Sequence, residues 1–243
     1  MNARALEEIW VYLGTSPLLY LTLTIAAYVL GDLVYRRSGR WPLLNPVLTS
    51  ILFLVALLTV TRTPYPVYFD GAQFVHFLLG PATVALAVPL YFNFWKLKRL
   101  WLPLSVGLVS GAATAAVSAV GIAWILDASA QTALALAPKS VTAPVAMAIA
   151  EKMGGSPSLT AILVVTTGIL GAMLGPAVLD FVRVRDPAAR GFAIGTASHG
   201  IGTARAFQES EEAGAFSGLA MGLNALLSAL ILPPILRAVG LVY

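Results

Sequence analysis

Long apolar runs separated by short polar loops make up this chain, and the charge sits mainly in the loops. A first run covers 9–35, with Pro17 as an alternative start, and Arg36, Arg37 and Arg40 follow it. A second opens at Trp41-Pro42-Leu43-Leu44-Asn45-Pro46 and extends to 61. Its prolines suit a first helical turn, and Asn45 is placed either to cap it or to project into the core. The third, 72–93, follows a loop containing Pro64, Pro66 and Asp70, and is interrupted by Gly80-Pro81 and again by Pro89. Then comes Lys96-Leu97-Lys98-Arg99 between Trp95 and Trp101, the aromatic flanking expected at a membrane boundary. The run 100–126 is charge-free and rich in small residues such as Gly107, Gly111 and Ala115, which let helices approach closely. Runs at 128–150, 158–182, 191–207 and 213–236 complete the chain. A helix needs about 20 apolar residues to cross a bilayer. The pattern therefore predicts an all-α, polytopic membrane protein of roughly seven or eight membrane elements, in a single domain over 1–243.

Two runs depart from an ordinary span. Within 128–150 lies Ala137-Pro138-Lys139-Ser140-Val141-Thr142-Ala143-Pro144, holding the run's one charge between two prolines. Each proline removes an amide donor, so Pro138 orphans the carbonyl of Leu134 and Pro144 that of Ser140. Unpaired backbone at membrane depth is tolerated only where protein or a water-filled cavity surrounds it. A lysine at that depth is costly and should face the interior. The plainer alternative is a proline-kinked helix whose lysine snorkels to one surface. The second departure, 191–207, carries Gly195-Thr196-Ala197-Ser198-His199-Gly200-Ile201-Gly202-Thr203-Ala204-Arg205. It is too short and too glycine-rich for a span, which predicts a re-entrant or unwound segment.

Charge adds a topological constraint. The basic clusters at 36–40, 96–99 and 183–190 should share the cytoplasmic side. Two runs separate the first pair, which agrees, but three separate the second. One of those three must return to the side it left, and the proline-broken 128–150 is the natural hairpin. The alternative is that one basic loop breaks the rule.

Composition narrows the function classes. At 58% hydrophobic and 11% charged, with mean hydropathy +0.85, no stretch is polar enough for a soluble domain. The net charge of +4 is accounted for by inter-helix loops and does not point to nucleic acid. Two histidines and no cysteine leave few metal ligands and exclude disulfides and thiolate sites. No catalytic triad or phosphate-binding loop is present, so neither an enzyme nor a cofactor is expected. The N-terminus, with Arg4, Glu7 and Glu8, shows no small-residue cleavage site, so the first run reads as a retained helix.

A pair of Gly/Pro-interrupted hydrophobic segments is the sequence pointer to a transporter site at the midplane, and it allows an inverted repeat. Gly80-Pro81-Ala82-Thr83 with Pro89 and Ala137-Pro138-Lys139-Ser140 with Pro144 form such a pair. Candidate solute-binding residues are therefore Lys139, Ser140, Thr142, Thr83, Pro81 and Pro138. His199, among Thr196, Ser198 and Thr203, is a candidate for proton coupling or a histidine hydrogen-bonded in helix packing. Arg205 either pairs with Glu209 at i,i+4 or points inward at an anion. His76 reads as structural, and Asp127 and Asp180 as caps at span ends.

The segments WPLLNPVL, LLGPATVALAVPLY, PKSVTAPVAMAIAEKMGG, GILGAMLGP and GTASHGIGTARA resemble the signature segments of the LrgB/CidB family over about 41–234. That family includes bacterial inner-membrane proteins and the C-terminal half of the plastid glycolate/glycerate translocator. The resemblance implies a multi-pass protein of the cell inner membrane and one of two roles. One is carriage of small carboxylates such as glycolate, glycerate or pyruvate. The other is holin/antiholin-like control of murein hydrolase export and autolysis. It also implies a separate LrgA/CidA-type small membrane partner, since the chain lacks that half of the plastid fusion. A homo-oligomer is compatible with either role.

Overall fold

The computed structural model describes residues 17–39, 41–85, 87–238 and 240. It is helical throughout, without strands among the described residues. The chain forms two compact units, 1–85 and 86–243.

In the first unit, α1 (Pro17–Arg37) packs against α2 (Pro46–Val60) and α3 (Tyr65–Phe77), and α4 (Leu79–Ala85) follows. Residues 9–16 of the expected first run lie outside those described. A single turn of 3₁₀ helix, Pro42–Leu44, leads to Asn45, whose Oδ1 accepts from the amides of Val47 (2.9 Å) and Leu48 (3.4 Å). Asn45 thus caps α2, while Pro46 occupies the first turn, where its missing N–H has no intrahelical partner to lose. Helix α3 begins at Tyr65, earlier than hydropathy alone suggests, because Pro66 also falls in a first turn. The helix breaks are written by the prolines. Pro81 cannot donate to Phe77, where α3 ends, and Pro89 cannot donate to Ala85, where α4 ends.

The second unit holds α5 (Ala87–Phe92), α6 (Phe94–Arg99), α7 (Trp101–Ile125), α8 (Ala130–Leu136), α9 (Ala143–Lys152), α10 (Pro157–Phe181), α11 (Pro187–Phe207) and α12 (Glu211–Ala238). At 25 residues each, α7 and α10 are about 37 Å long. Among the described residues, five helical stretches are long and apolar enough to cross a membrane: 18–37, 65–92, 101–125, 157–181 and 211–238. The segments 128–153 and 187–207 are not among them.

Ion pairs fix which ends of these helices lie together. Lys96 in α6 reaches Asp186 (2.8 Å), the N-cap of α11, and Glu212 (2.6 Å) in the first turn of α12. Arg190 in α11 reaches Asp180 (2.6 Å) at the end of α10 and Glu209 (2.9 Å) just after α11. The loops 96–99 and 183–190 therefore share one end of the unit, here the basic end. Since α7 leaves that end and α10 returns to it, 128–153 must begin and finish at the other.

The contacts of 128–153 agree. Beyond α9, Gly155 comes back against Leu134 and Ala135, so close that a Cβ there would stand 3.1 Å from the Ala135 nitrogen. Thr160 Oγ1 donates to the Ala135 carbonyl at 3.2 Å. Leu134, Ile149 and Met153 share one buried cluster with Val120 and Ala123 of α7 and Leu232 and Leu236 of α12. We call this segment hairpin A. The sequence expectation of a returning 128–150 run and this geometry coincide.

Helix α11 is a second hairpin, hairpin B. It starts and ends at the basic end, since Arg190 and Glu209 bracket its two arms. Between them His199 adopts φ 41°, ψ −134°, which reverses the helix. The two arms, 187–198 and 200–207, pack through small residues, and a Cβ on Gly202 would meet Ile194 Cγ2 at 2.9 Å. Glycine backs the first arm against α12 as well, since Gly191 abuts the Ala213 backbone and Gly195 that of Ser217. Hairpins A and B thus enter from opposite ends.

Candidate functional site

The two hairpin tips meet at α12. Asn224 lies thirteen residues into that helix, and its side chain is buried, with 1% exposure for the residue. Its Nδ2 donates to the Ser140 carbonyl of hairpin A (3.2 Å) and to the Thr196 carbonyl of hairpin B (3.0 Å). Its Oδ1 accepts from Ser228 Oγ at 3.3 Å, and the two carbonyls, which can only accept, fix the orientation of the amide. Around this junction lie buried Ser140, Thr196, Ser198, His199, Thr203 and Ser217.

At the tip of hairpin A the prolines prevent continuous helix from 137 to 142, and the chain turns instead through Lys139 N→Leu136 O (3.0 Å) and Val141 N→Pro138 O (2.9 Å). Pro138 is fully buried in that turn. Lys139 is half-buried and donates to Ser140 Oγ at 3.3 Å. Among the described residues, Nζ has no carboxylate within 4.0 Å. Thr142 is the N-cap of α9 but makes no side-chain cap bond. The first amides of α9, at Ala143 and Val145, therefore lack intrahelical acceptors, and Pro144 between them has no N–H. A lysine ammonium, two hydroxyls and a helix N-terminus without a side-chain cap thus stand together, an arrangement suited to a carboxylate or other small anion.

At the tip of hairpin B the His199 ring bonds through Nε2 to the Val164 carbonyl of α10 (2.9 Å). Gly168 makes the room, because a Cβ there would fall 2.6 Å from His199 Cε1. With Nε2 facing a carbonyl, that nitrogen carries the proton and Nδ1 is left as the acceptor. The backbone at φ 41° is uncommon for a residue other than glycine, and such strain is of order 1–3 kcal/mol. Behind the ring, Thr203 Oγ1 donates to the His199 carbonyl (2.8 Å) and bonds Ser217 Oγ (2.9 Å).

Arg205 and the carboxylates at the span ends fall elsewhere. Arg205 lies near the root of hairpin B, 3.8 Å from Glu209, and not at the tips. Pairing at i,i+4 keeps it at the basic end, so it is not part of the central cluster. Pro81 belongs to α4 in the first unit, and the Thr83 and His76 side chains lie outside those described. Asp127 does not cap by its side chain; it takes the left-handed turn (φ 52°) that ends α7, with Ala128 N→Ala123 O at 2.9 Å closing it. Asp180 pairs with Arg190. Among the described residues no three His, Cys, Asp or Glu side chains come together as a metal site would require.

At the basic end the ion pairs hold their members charged. The Asp186 carboxylate beside the Lys96 ammonium holds the lysine above its usual range, and Lys96 in turn pulls Asp186 below its own. Glu209 raises Arg190 in the same way. An open groove of about 570 Å³ is lined by α7 and the first arm of hairpin B, reaching from Leu100 and Asp186 to Thr196 beside the tip, next to the contact of Leu104 and Leu108 with Phe192.

A family model described as the LrgB-like family matches residues 24–238. The Bacillus subtilis protein YxaC is 36% identical over 216 residues, covering 89% of this chain and 94% of its own. A protein of Staphylococcus epidermidis named holin-like protein CidB is 32% identical over 215 residues, 88% of this chain and 93% of its own. One of Bacillus mycoides named antiholin-like protein LrgB is 27% identical over 225 residues, 93% of this chain and 98% of its own. No solved structure matches the chain.

Proposed function

The chain belongs to the LrgB-like family, and from that premise we propose that it is a carrier, not an enzyme, which moves a small carboxylate across the bacterial inner membrane through the junction of hairpins A and B. One observation carries the reading: Lys139, half-buried at the tip of hairpin A, has no carboxylate of its own and stands beside the start of α9, which has no side-chain cap. A carboxylate leaving water loses its hydration, and a fixed cation with oriented amides can replace it without reorganising. Ser140 and Thr142 would supply hydroxyl contacts. His199 is the proposed proton carrier at the opposing tip, since a ring with one nitrogen on a carbonyl and one open can take a proton. A separate LrgA/CidA-type membrane protein is the proposed partner.

The names of the relatives favour a second reading. Holin-like CidB and antiholin-like LrgB point to control of murein hydrolase export and autolysis, and the comparisons bear on that role more directly than on carriage. Purified protein in liposomes separates the two. A carrier passes glycolate, glycerate or pyruvate saturably and retains neutral solutes of similar size. A holin-like pore passes both without saturation, and that result would overturn the carrier reading.

A further inference from the structure

Asn224 has a role that neither Lys139 nor His199 can fill. We infer that its amide is the shared post against which hairpins A and B both close, so that one side chain on α12 holds the centre shut toward both faces of the membrane. The inference rests on the proposed reading of the junction as a solute centre.

A primary amide has two N–H hydrogens, and here each goes to a different hairpin: one to the Ser140 carbonyl, one to the Thr196 carbonyl. The Ser140 carbonyl needs an outside donor, and the Thr196 carbonyl faces the same amide. Pro144 removes the amide that would have bonded Ser140 within a helix, and the Thr196 carbonyl lies three residues before the reversal at His199. Rotating the amide is not an alternative. It would turn Oδ1 toward two carbonyl oxygens.

The surroundings allow the tips to leave this post. Residues 137–142 of hairpin A form no regular helix. Hairpin B is tight against α12 at Gly191 and Gly195; on its other side Phe192 packs on Leu104 and Leu108 of α7, with an open groove of about 570 Å³ lined by both running beside that contact. A tip that withdraws gives up one hydrogen bond to Asn224, and water entering behind it takes over that carbonyl. The other hairpin keeps its own bond. Each tip therefore opens toward its own end of the membrane, while the opposite closure is held independently.

The test uses the cysteine-free chain with one cysteine at a time, Val141→Cys in hairpin A or Ser198→Cys in hairpin B, positions 2% and 1% exposed. A membrane-impermeant maleimide is applied to oriented vesicles from each side in turn. With Asn224 intact both cysteines label slowly. Asn224→Ala should speed both, roughly three- to tenfold, the worth of one buried hydrogen bond at each tip. The cysteine at 141 should respond from the end opposite the basic loops, and the one at 198 from the basic end. The isosteric Asn224→Asp preserves shape and offers at most one hydrogen, so it must speed at least one label even where the alanine variant does not insert. Unchanged labelling of either tip in Asn224→Ala, or of both in Asn224→Asp, overturns the inference. Labelling reads closure without any solute, so absence of carboxylate flux in the unsubstituted protein would defeat the carrier reading and leave this result to stand or fall alone.

Discussion

Gly195→Ala is the substitution most directly aimed at the seating of hairpin B. The new methyl would overlap the Ser217 carbonyl oxygen and stand 2.7 Å from the carbonyl carbon. Carbon atoms pack favourably at about 3.5–4.0 Å, so the first arm must retreat from α12 by roughly 1 Å. The obstacle is helix backbone, which cannot rotate aside as a side chain would. The retreat also stretches a bond that spans the interface, Asn224 Nδ2 to Thr196 O at 3.0 Å. Overpacking of this kind costs about 1–3 kcal/mol. At about 2–4 °C per kcal/mol for a chain of this size, the melting temperature should fall by some 2–12 °C. Gly107→Ala is the matched control, because nothing lies within 4 Å of its added methyl. Both variants gain the same helix preference of alanine over glycine, about 1 kcal/mol at most, so the difference between them isolates the clash. Thermal unfolding of the two purified proteins in one detergent measures it. Equal melting temperatures would refute the close seating of hairpin B on α12.

Three further outcomes follow from the same geometry. Single cysteines replacing Asp127 and Lys152, at the two ends of hairpin A, should label from one face of the membrane, and labelling from opposite faces would contradict a returning segment. If His199 carries protons, His199→Gln should flatten the pH dependence of solute flux while the protein remains folded, and a profile like that of the unsubstituted protein reduces the ring to packing. Because Lys96 holds the Asp186 carboxylate below its usual range, that carboxylate's contribution is present above the ordinary value of 3.8 and is lost as pH falls through the lower folded value. The melting temperature of Asp186→Asn should therefore depend less on pH in the acid range, by a small margin since the pair is exposed; parallel curves would remove the pair from the account.

Much of this architecture can be read along the chain. The prolines at 81 and 89 place helix breaks four residues upstream of themselves, because each removes one donor at that distance. The prolines around Lys139 likewise mark hairpin A, and the spacing of basic loops already requires one segment to turn back. The glycines between 191 and 202 signal close packing and a reversal, although not that His199 itself would carry the turn. What could not be read are the contacts between distant segments. Asn224 looks like one amide in the apolar run 213–236, and its partners lie 84 and 28 residues away. An amide there is a signal of interior placement, since polar groups in membrane helices seek partners, but hydropathy does not name them. Arg205 was open between two roles for the same reason. Its neighbour Glu209 is local, yet whether 205 lies at the tip or the root depends on where hairpin B turns.

Lys139 tests the central claim most directly. In liposomes, Lys139→Ala should abolish saturable carboxylate flux while the protein still inserts and remains folded, because it removes the one charge between Pro138 and Pro144. Lys139→Arg should restore only part of it, since a planar guanidinium does not occupy the space of an ammonium. Flux in Lys139→Ala that saturates as in the unsubstituted protein, or a leak of neutral solutes and carboxylates alike that ignores the substitution, would contradict the account.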